Sequence, residues 1–422
     1  MKYDGLRVAV DGDRIATLTN GYRLSQPNAK FCTLTYAEAI AEEQAVSLTM
    51  PVGAGRYEHE GLHPIFDMNM PEGHLRYALI NMFRKTVTAF DDFDLLRMVG
   101  PYQLGRVTVG EPADRPMPGT SVSDLLVHDG AQDLFEDLVG TYAAYSGVSG
   151  VQPKVLVRDE GNGDVSRLTH KGATHIVKSW NANEYPELAT NEYFCLRAAV
   201  HAGLNVANHE LSAAGRFLVV ERFDISENGY CGFEDFCVLN ALKTDAKYDS
   251  SYEACAKIVK AYLPPEKHGE ALFELFRLIA LSAAIQNGDA HLKNFGVLYD
   301  HAGADANISL APAFDLITTT AYKPRDIMAL LMAGSKNWPK HKLLYKFGRV
   351  ACGLGETQVQ RALEQVADGI SQAKQELVQH TTRNAQFKEI GERMVAAWEW
   401  GTMRCLVDEK RPRVSTSQKG AE

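Results

Sequence analysis

Ile285 to Leu298 reads IQNGDAHLKNFGVL, and the fold class hangs on this stretch. The helical run ALFELFRLIALSAAIQ stops at Asn287-Gly288, a dipeptide that favours turns over helix. A polar loop then leads into the apolar FGVL. Asp289 and Asn294 stand five positions apart in that loop. Protein kinases hold a base Asp and a magnesium-binding Asn at the same interval in their HRDxxxxN loop, so that both side chains point into one cleft. A capped turn would use the same residue types, with Asn287 or Asp289 accepting from nearby backbone N–H groups. The interval therefore takes its meaning from what surrounds it.

Downstream, LAPAFDLITTT carries a single acid, Asp315, out of an apolar stretch. A carboxylate there matches the DFG Asp that holds magnesium on the ATP phosphates, although the flanks are Phe314 and Leu316 and the DFG triplet itself is absent. Upstream, Lys178 closes the strand THIVK, which resembles the VAIK strand whose lysine meets the α and β phosphates. Glu192 follows on the next helix, placed to hold that lysine by an ion pair. FLVV with ERF after it comes next. Taken alone, each residue reads better as a strand end, a cap or a surface charge. Their order along the chain is what points to phosphoryl transfer, a reaction that asks the protein mainly for positioned charge and metal.

Residues 5 to 18 predict two strands around Asp11-Gly12. A helix is expected over Phe66 to Phe83 and a strand at LGRVTVG, so that the first hundred residues form a small α+β module. Glu111 to Ser123 reads as a linker before the helical LLVHDGAQDLFEDLVGTYAA. Val155 to Val177 predicts consecutive antiparallel strands, and NEYFCLRAAVHAGLNV a helix ending near Gly203. After the strand pair in HELSAAGRFLVVERFD, helical patterns dominate to a polar tail, RPRVSTSQKGAE, expected to be disordered. The reading is an α+β, protein-kinase-like, two-lobed fold. Residues 1–110 form the N-terminal mixed module, 111–225 the kinase N-lobe and 226–422 a mostly helical C-lobe.

The chain has 422 residues, 45% of them hydrophobic, and a formal net charge of −9. It can bury a substantial core, and its acidity argues against a globally basic nucleic-acid binder. The seven cysteines are scattered, with no CxxC pair or zinc spacing. The N-terminus carries charges where a signal peptide needs an apolar stretch, and no run of about 18 apolar residues occurs. A cytoplasmic protein with no membrane contact is expected. His59, His63 and His74 lack an HExxH pattern, which disfavours a metal hydrolase. MPVGAGRY lacks the βαβ context of a dinucleotide fingerprint and reads as a loop.

At these same residues the sequence resembles the HipA family of bacterial toxin serine/threonine kinases. AVSLTMP, HPIFDMNMPEGHLR and LGRVTV resemble that family's N-terminal module. SGVSGVQPK, HIVKSW, NEYFCLRAAVHAGLNV, VVERFD, NGDAHLKNFGVL and APAFD resemble its kinase core. The resemblance implies that Ser149, Gly150, Val151, Gln152, Pro153 and Lys154 form the loop over the ATP phosphates, which Lys178 contacts. It implies that Glu221, Arg222 and Phe223 are the hinge meeting adenine. His291, Leu292, Lys293 and Asn294 would line the phosphate and metal site beside the base Asp289. Phe314 and Asp315 would complete it, with Asn294 and Asp315 on magnesium and Glu192 positioning Lys178. Autophosphorylation of a loop serine is also implied. Relatives carry a serine where this chain has Gly147, which leaves Ser149, with Ser146 as second candidate. The family's substrates are proteins, in known cases aminoacyl-tRNA synthetases. Its partner is a DNA-binding antitoxin, so that DNA is met only indirectly. Two other readings use the same residues: a small-molecule or lipid kinase, and a non-catalytic pseudokinase that only binds a partner.

Overall fold

The computed structural model describes residues 5–23, 26–83, 90–111, 116–128, 134–160 and 172–408. Strands β1 (Leu6–Val10) and β2 (Asp13–Arg23) turn at Asp11-Gly12, both with positive φ, as the sequence predicts. With β3 (Gln26–Tyr36), β4 (Arg56–Glu60) and β5 (Val107–Val109) they form an antiparallel sheet in the order β4-β3-β2-β1-β5. The helix expected from Phe66 is broken. A single turn, α1 (Pro64–Asp67), precedes Pro71, and α2 (Gly73–Phe83) starts only after it, because a proline lacks the N–H that an uninterrupted helix needs. A further helix, α3 (Asp92–Val99), opens on an Asp91–Asp94 capping box.

The turn-rich segment read as a linker contributes a strand, β6 (Gly119–Thr120), pairing in parallel with β7 (Lys154–Asp159). The single helix expected after it is two, α4 (Val122–Val127) and α5 (Leu134–Tyr142). Of the strands expected between Val155 and Val177, β7 and β8 (His175–Lys178) are present and antiparallel. VSRLTHKG falls largely outside the described residues, as does the polar tail. The helix α6 (Leu188–His201) stops two residues before Gly203, whose φ of +75° gives the left-handed cap a helix end favours. Strands β9 (His209–Leu211) and β10 (Leu218–Glu221) complete a second sheet, β6-β7-β8-β10-β9.

Beyond Asp224 the chain is less uniformly helical than its periodicity suggests. A hairpin, β11 (Ile225–Ser226) and β12 (Gly229–Tyr230), leads into β13 (Gly232–Asp235). That strand pairs with β14 (Gly296–Tyr299), which pairs with β15 (Ser309–Leu310). These runs are too short to show a clear two-residue alternation. The helices of this half are α7 (Phe236–Leu239), α8 (Tyr252–Tyr262), α9 (His268–Ala284), α10 (His341–Val350), α11 (Glu356–Arg383) and α12 (Lys388–Cys405), with the chain from Asp300 to Lys340 almost free of helix. Among the described residues no helix is long and apolar enough to cross a membrane.

Two apolar cores result. One joins both sheets and their helices, including Val8, Leu34, Phe66, Leu138, Val155 and Val219. The other gathers α6 with the helical half, including Phe194, Phe276, Leu363 and Trp398. Strand β10 lies between them, Val219 facing the first and Leu218 and Val220 the second, the two-residue alternation of a strand buried on both sides. The space between the lobes is a cleft.

Candidate active site

A cleft of about 500 Å³ opens between the second sheet and the helical half. Its wall on the helical side is set where α9 ends. Gln286 takes a left-handed φ of +57°. Asn287 Oδ1 then accepts the Asp289 N–H at 3.0 Å, and Thr319 Oγ1 accepts the Gly288 N–H at 2.8 Å. Leu292 and Phe295 drop into the core, which leaves Asp289, His291, Lys293 and Asn294 on the cleft side. Asn294 Nδ2 donates to the Asp289 carbonyl at 2.7 Å, so its Oδ1 is the atom left to meet a ligand. The Asp289 side chain is 43% exposed. His291 is buried, which pushes its pKa down and keeps the ring neutral. Among the described residues its Nδ1 meets no hydrogen-bond partner.

The opposite wall carries the lysines. Lys178 ends β8 and pairs with Glu192 at 2.6 Å, both side chains buried. Lys178 also bonds Asp315 directly, and Lys154 Nζ lies 4.0 Å from Asp315. Burial opposes charge on Lys178, but its two carboxylate partners win and hold its pKa up. Burial likewise works against an ionised Asp315, and the two lysines outweigh it, so that this carboxyl stays below its usual range. Burial dominates for Lys154, whose pKa is pushed down. Asp315 itself has a φ of +52°, a conformation rare for a residue with a Cβ. Asn191, the neighbour of Glu192, pins the chain just beyond it, accepting the Thr318 N–H at 2.8 Å and donating to the Thr318 carbonyl at 3.2 Å.

Loop residues 148–153 roof the cleft. Gln152 Nε2 donates to the Ser179 carbonyl at 3.2 Å, and the Ser179 N–H to the Pro153 carbonyl at 2.8 Å. Ser149 Oγ donates to Glu72, whose other oxygen lies 3.2 Å from Lys247 Nζ. At the back, Phe223, Phe233 and Phe314 meet with ring centroids 5.4 to 6.0 Å apart, an apolar face suited to a flat ring.

Of the residues singled out in the sequence, the geometry separates a few. Leu292 is fully buried and lines the core, not the cleft, because the turn at Leu292–Asn294 needs an apolar anchor. Arg222 borders the cleft, but its guanidinium is taken by Asp224, at 3.0 and 2.6 Å, and by the Ala173 carbonyl. Ser146 is buried, with its hydroxyl donating to the Tyr142 carbonyl at 2.8 Å and accepting the Leu156 N–H at 2.9 Å. Sequence reasoning missed Glu72, Lys247, Tyr248, Asp235 and Lys323, all on the cleft wall. KYD and PEGH carry no pattern that marks them. Among the described residues no cluster of three His, Cys, Asp or Glu side chains is placed to cage a metal.

The HipA-like C-terminal domain family matches residues 146–374, and the HipA N-terminal domain family residues 6–110. The chain belongs to the HipA family. Y4dM, a protein of Sinorhizobium fredii named as a candidate kinase, is 27% identical over 356 residues, covering 78% of this HipA-family chain and 81% of that protein. The serine/threonine-protein kinase toxin HipA of Shewanella oneidensis is 24% identical over 301 residues, 64% of this chain and 66% of the toxin. A solved complex of Shewanella oneidensis HipA with HipB and its operator DNA contains a chain that superposes with a TM-score of 0.64. That match covers 94% of this chain and 97% of the other at 18% identity, and it establishes the kinase-like HipA fold.

Proposed function

We propose that this HipA-family chain is a magnesium- and ATP-dependent serine/threonine protein kinase acting as the toxin of a toxin–antitoxin pair. The observation that carries the reading is the meeting, in one cleft, of the Lys178–Glu192 pair, Asp315 and the Asp289–Asn294 loop. Sequence order alone does not bring these together.

In this reading the aromatic face of Phe223, Phe233 and Phe314 takes the adenine beside the backbone of Glu221 to Phe223. Lys178, held by Glu192, and Lys154 meet the phosphates. The oxygens of Asp315 and Asn294 fit magnesium, a hard cation that keeps water and phosphate ligands and needs only one or two protein donors. When bound, the ion neutralises charge on the transferring phosphoryl group. Asp289, at the open side, accepts the proton of the incoming hydroxyl and orients it for in-line attack.

Ser149, in the roof loop and within reach of solvent, is the proposed autophosphorylation site. Buried Ser146 is not. A phosphate on Ser149 would set its charge against Glu72 and force the loop away. The relative solved with HipB and operator DNA supports a DNA-binding antitoxin as partner, with DNA reached through it. A translation component such as an aminoacyl-tRNA synthetase is the proposed substrate class.

The test is incubation of the purified chain with magnesium and ATP, followed by intact-mass and peptide mass spectrometry, with Asp289→Asn alongside. Phosphate on Ser149 that the variant lacks supports the reading. No phosphate, with no ATP binding by calorimetry, overturns it in favour of a binding module.

A further inference from the structure

Tyr248 has no part in the mechanism above, yet it touches the proposed base. It sits at the cleft mouth, 38% exposed, and its hydroxyl donates to Asp289 Oδ1 at 2.6 Å. Its ring stands edge-on to His291, centroids 5.0 Å apart and planes at 79°. Burial of the phenol and then the charge of Asp289 push its pKa up, so the group remains a donor. The backbone is anchored on both sides of the ring. The Lys247 carbonyl accepts the Leu292 N–H at 3.1 Å, and the Tyr248 carbonyl accepts from Lys336 Nζ at 3.3 Å. Rotation of the side chain alone therefore moves the phenol, without displacing the segment.

The base of a phosphotransferase binds its acceptor by accepting an O–H proton. A tyrosine hydroxyl aimed at that carboxylate presents the same group. We propose that Tyr248 is a built-in surrogate acceptor: its hydroxyl fills the acceptor place on Asp289, and an incoming serine or threonine hydroxyl must displace it. This inference rests on the phosphoryl-transfer reading. It has a consequence that needs no protein substrate. With the phenol on Asp289 Oδ1, a water must compete with it for that oxygen. Once the phenol leaves, a water oxygen can bond to the γ-phosphorus, the bond to the bridging oxygen breaks with its electron pair leaving on ADP, and the water proton goes to Asp289.

The experiment measures hydrolysis of magnesium-ATP without acceptor by the full chain, by Tyr248→Phe and by Asp289→Asn. Phenylalanine keeps the ring against His291 and removes only the hydroxyl; Tyr248→Leu is the second variant should the first fold poorly. Hydrolysis by Tyr248→Phe is expected to exceed wild type roughly tenfold to a hundredfold, the worth of one displaced hydrogen bond to a carboxylate, and that of Asp289→Asn to fall. A Tyr248→Phe rate equal to or below wild type, while Asp289→Asn still falls, overturns the inference and makes Tyr248 a support for the base. An Asp289→Asn rate equal to wild type removes the phosphoryl-transfer reading, and this inference with it.

Discussion

Glu192 Oε1 lies 2.6 Å from Lys178 Nζ, with side-chain exposures of 1% and 5%. Two charges taken this far from water are tolerable only as partners, and removing one leaves the other stranded, at a cost of about 3–5 kcal/mol. Glu192→Ala should fall at the low end, about 3 kcal/mol, because Asp315 still faces the ammonium. Urea unfolding measures it. The double change Lys178→Met with Glu192→Leu should regain most of that loss while weakening ATP binding, because it removes the lysine proposed to meet the phosphates. If Glu192→Ala leaves stability unchanged, the buried ammonium of Lys178 does not depend on this partner.

The residues in and behind this cleft differ in how legible they are in the sequence. Lys178, Glu192, Asp289, Asn294 and Asp315 could be read because each has a fixed place in kinase order and a local frame: a strand end, a helix, a turn after a helix. Glu72 and Tyr248 could not. Glu72 meets Ser149 across 77 positions and Tyr248 meets Asp289 across 41, and no periodicity encodes such contacts. Strand β6 hid in Gly and Pro composition because two residues of parallel pairing leave no alternation to detect.

Gly73 illustrates a contact of the same long-range kind. Its φ is +49°, and a Cβ there would stand 2.7 Å from the Val151 carbonyl oxygen and 3.1 Å from its Cα. Backbone cannot yield as a flexible side chain can. Gly73→Ala should lower stability by roughly 1–2 kcal/mol and weaken ATP binding by shifting the roof loop. Calorimetric ATP titration beside thermal unfolding would show both; unchanged ATP affinity would mean that the loop does not depend on this approach.

Glu234 links the N-terminal module to the strand β13. Its carboxyl accepts from Ser47 Oγ at 2.8 Å, the Leu48 N–H at 2.8 Å and Tyr299 Oη at 2.7 Å. Burial nevertheless raises its pKa from 4.5 to about 7. The folded state then binds more protons than the unfolded chain between those values, so this group's contribution is full below about pH 4.5 and is lost as pH rises through about 7. Glu234→Gln removes that slope. The stability of the variant relative to wild type should rise between pH 5 and pH 8, by on the order of 3 kcal/mol as an upper bound. Urea unfolding of both proteins across that range checks it, and parallel curves would refute the assignment.

Asp289 and Asp315 carry the same charge in one cleft, yet their removal should have different consequences. The Asp289 side chain is 43% exposed and meets Tyr248 and His291. Asp289→Asn should change stability by no more than about 0.5 kcal/mol while lowering kcat by roughly 10²–10⁴-fold, the usual worth of a general base. Asp315 instead stands between Lys178 and Lys154, both buried. Asp315→Asn leaves two ammonium groups facing Glu192 alone, so it should lose about 3 kcal/mol of stability as well as ATP affinity. Thermal unfolding and ATP titration of the two variants separate the roles. A cold-stable Asp315→Asn with normal Tm would show that the lysines do not need this carboxylate, and an Asp289→Asn with wild-type kcat would take the base out of the mechanism.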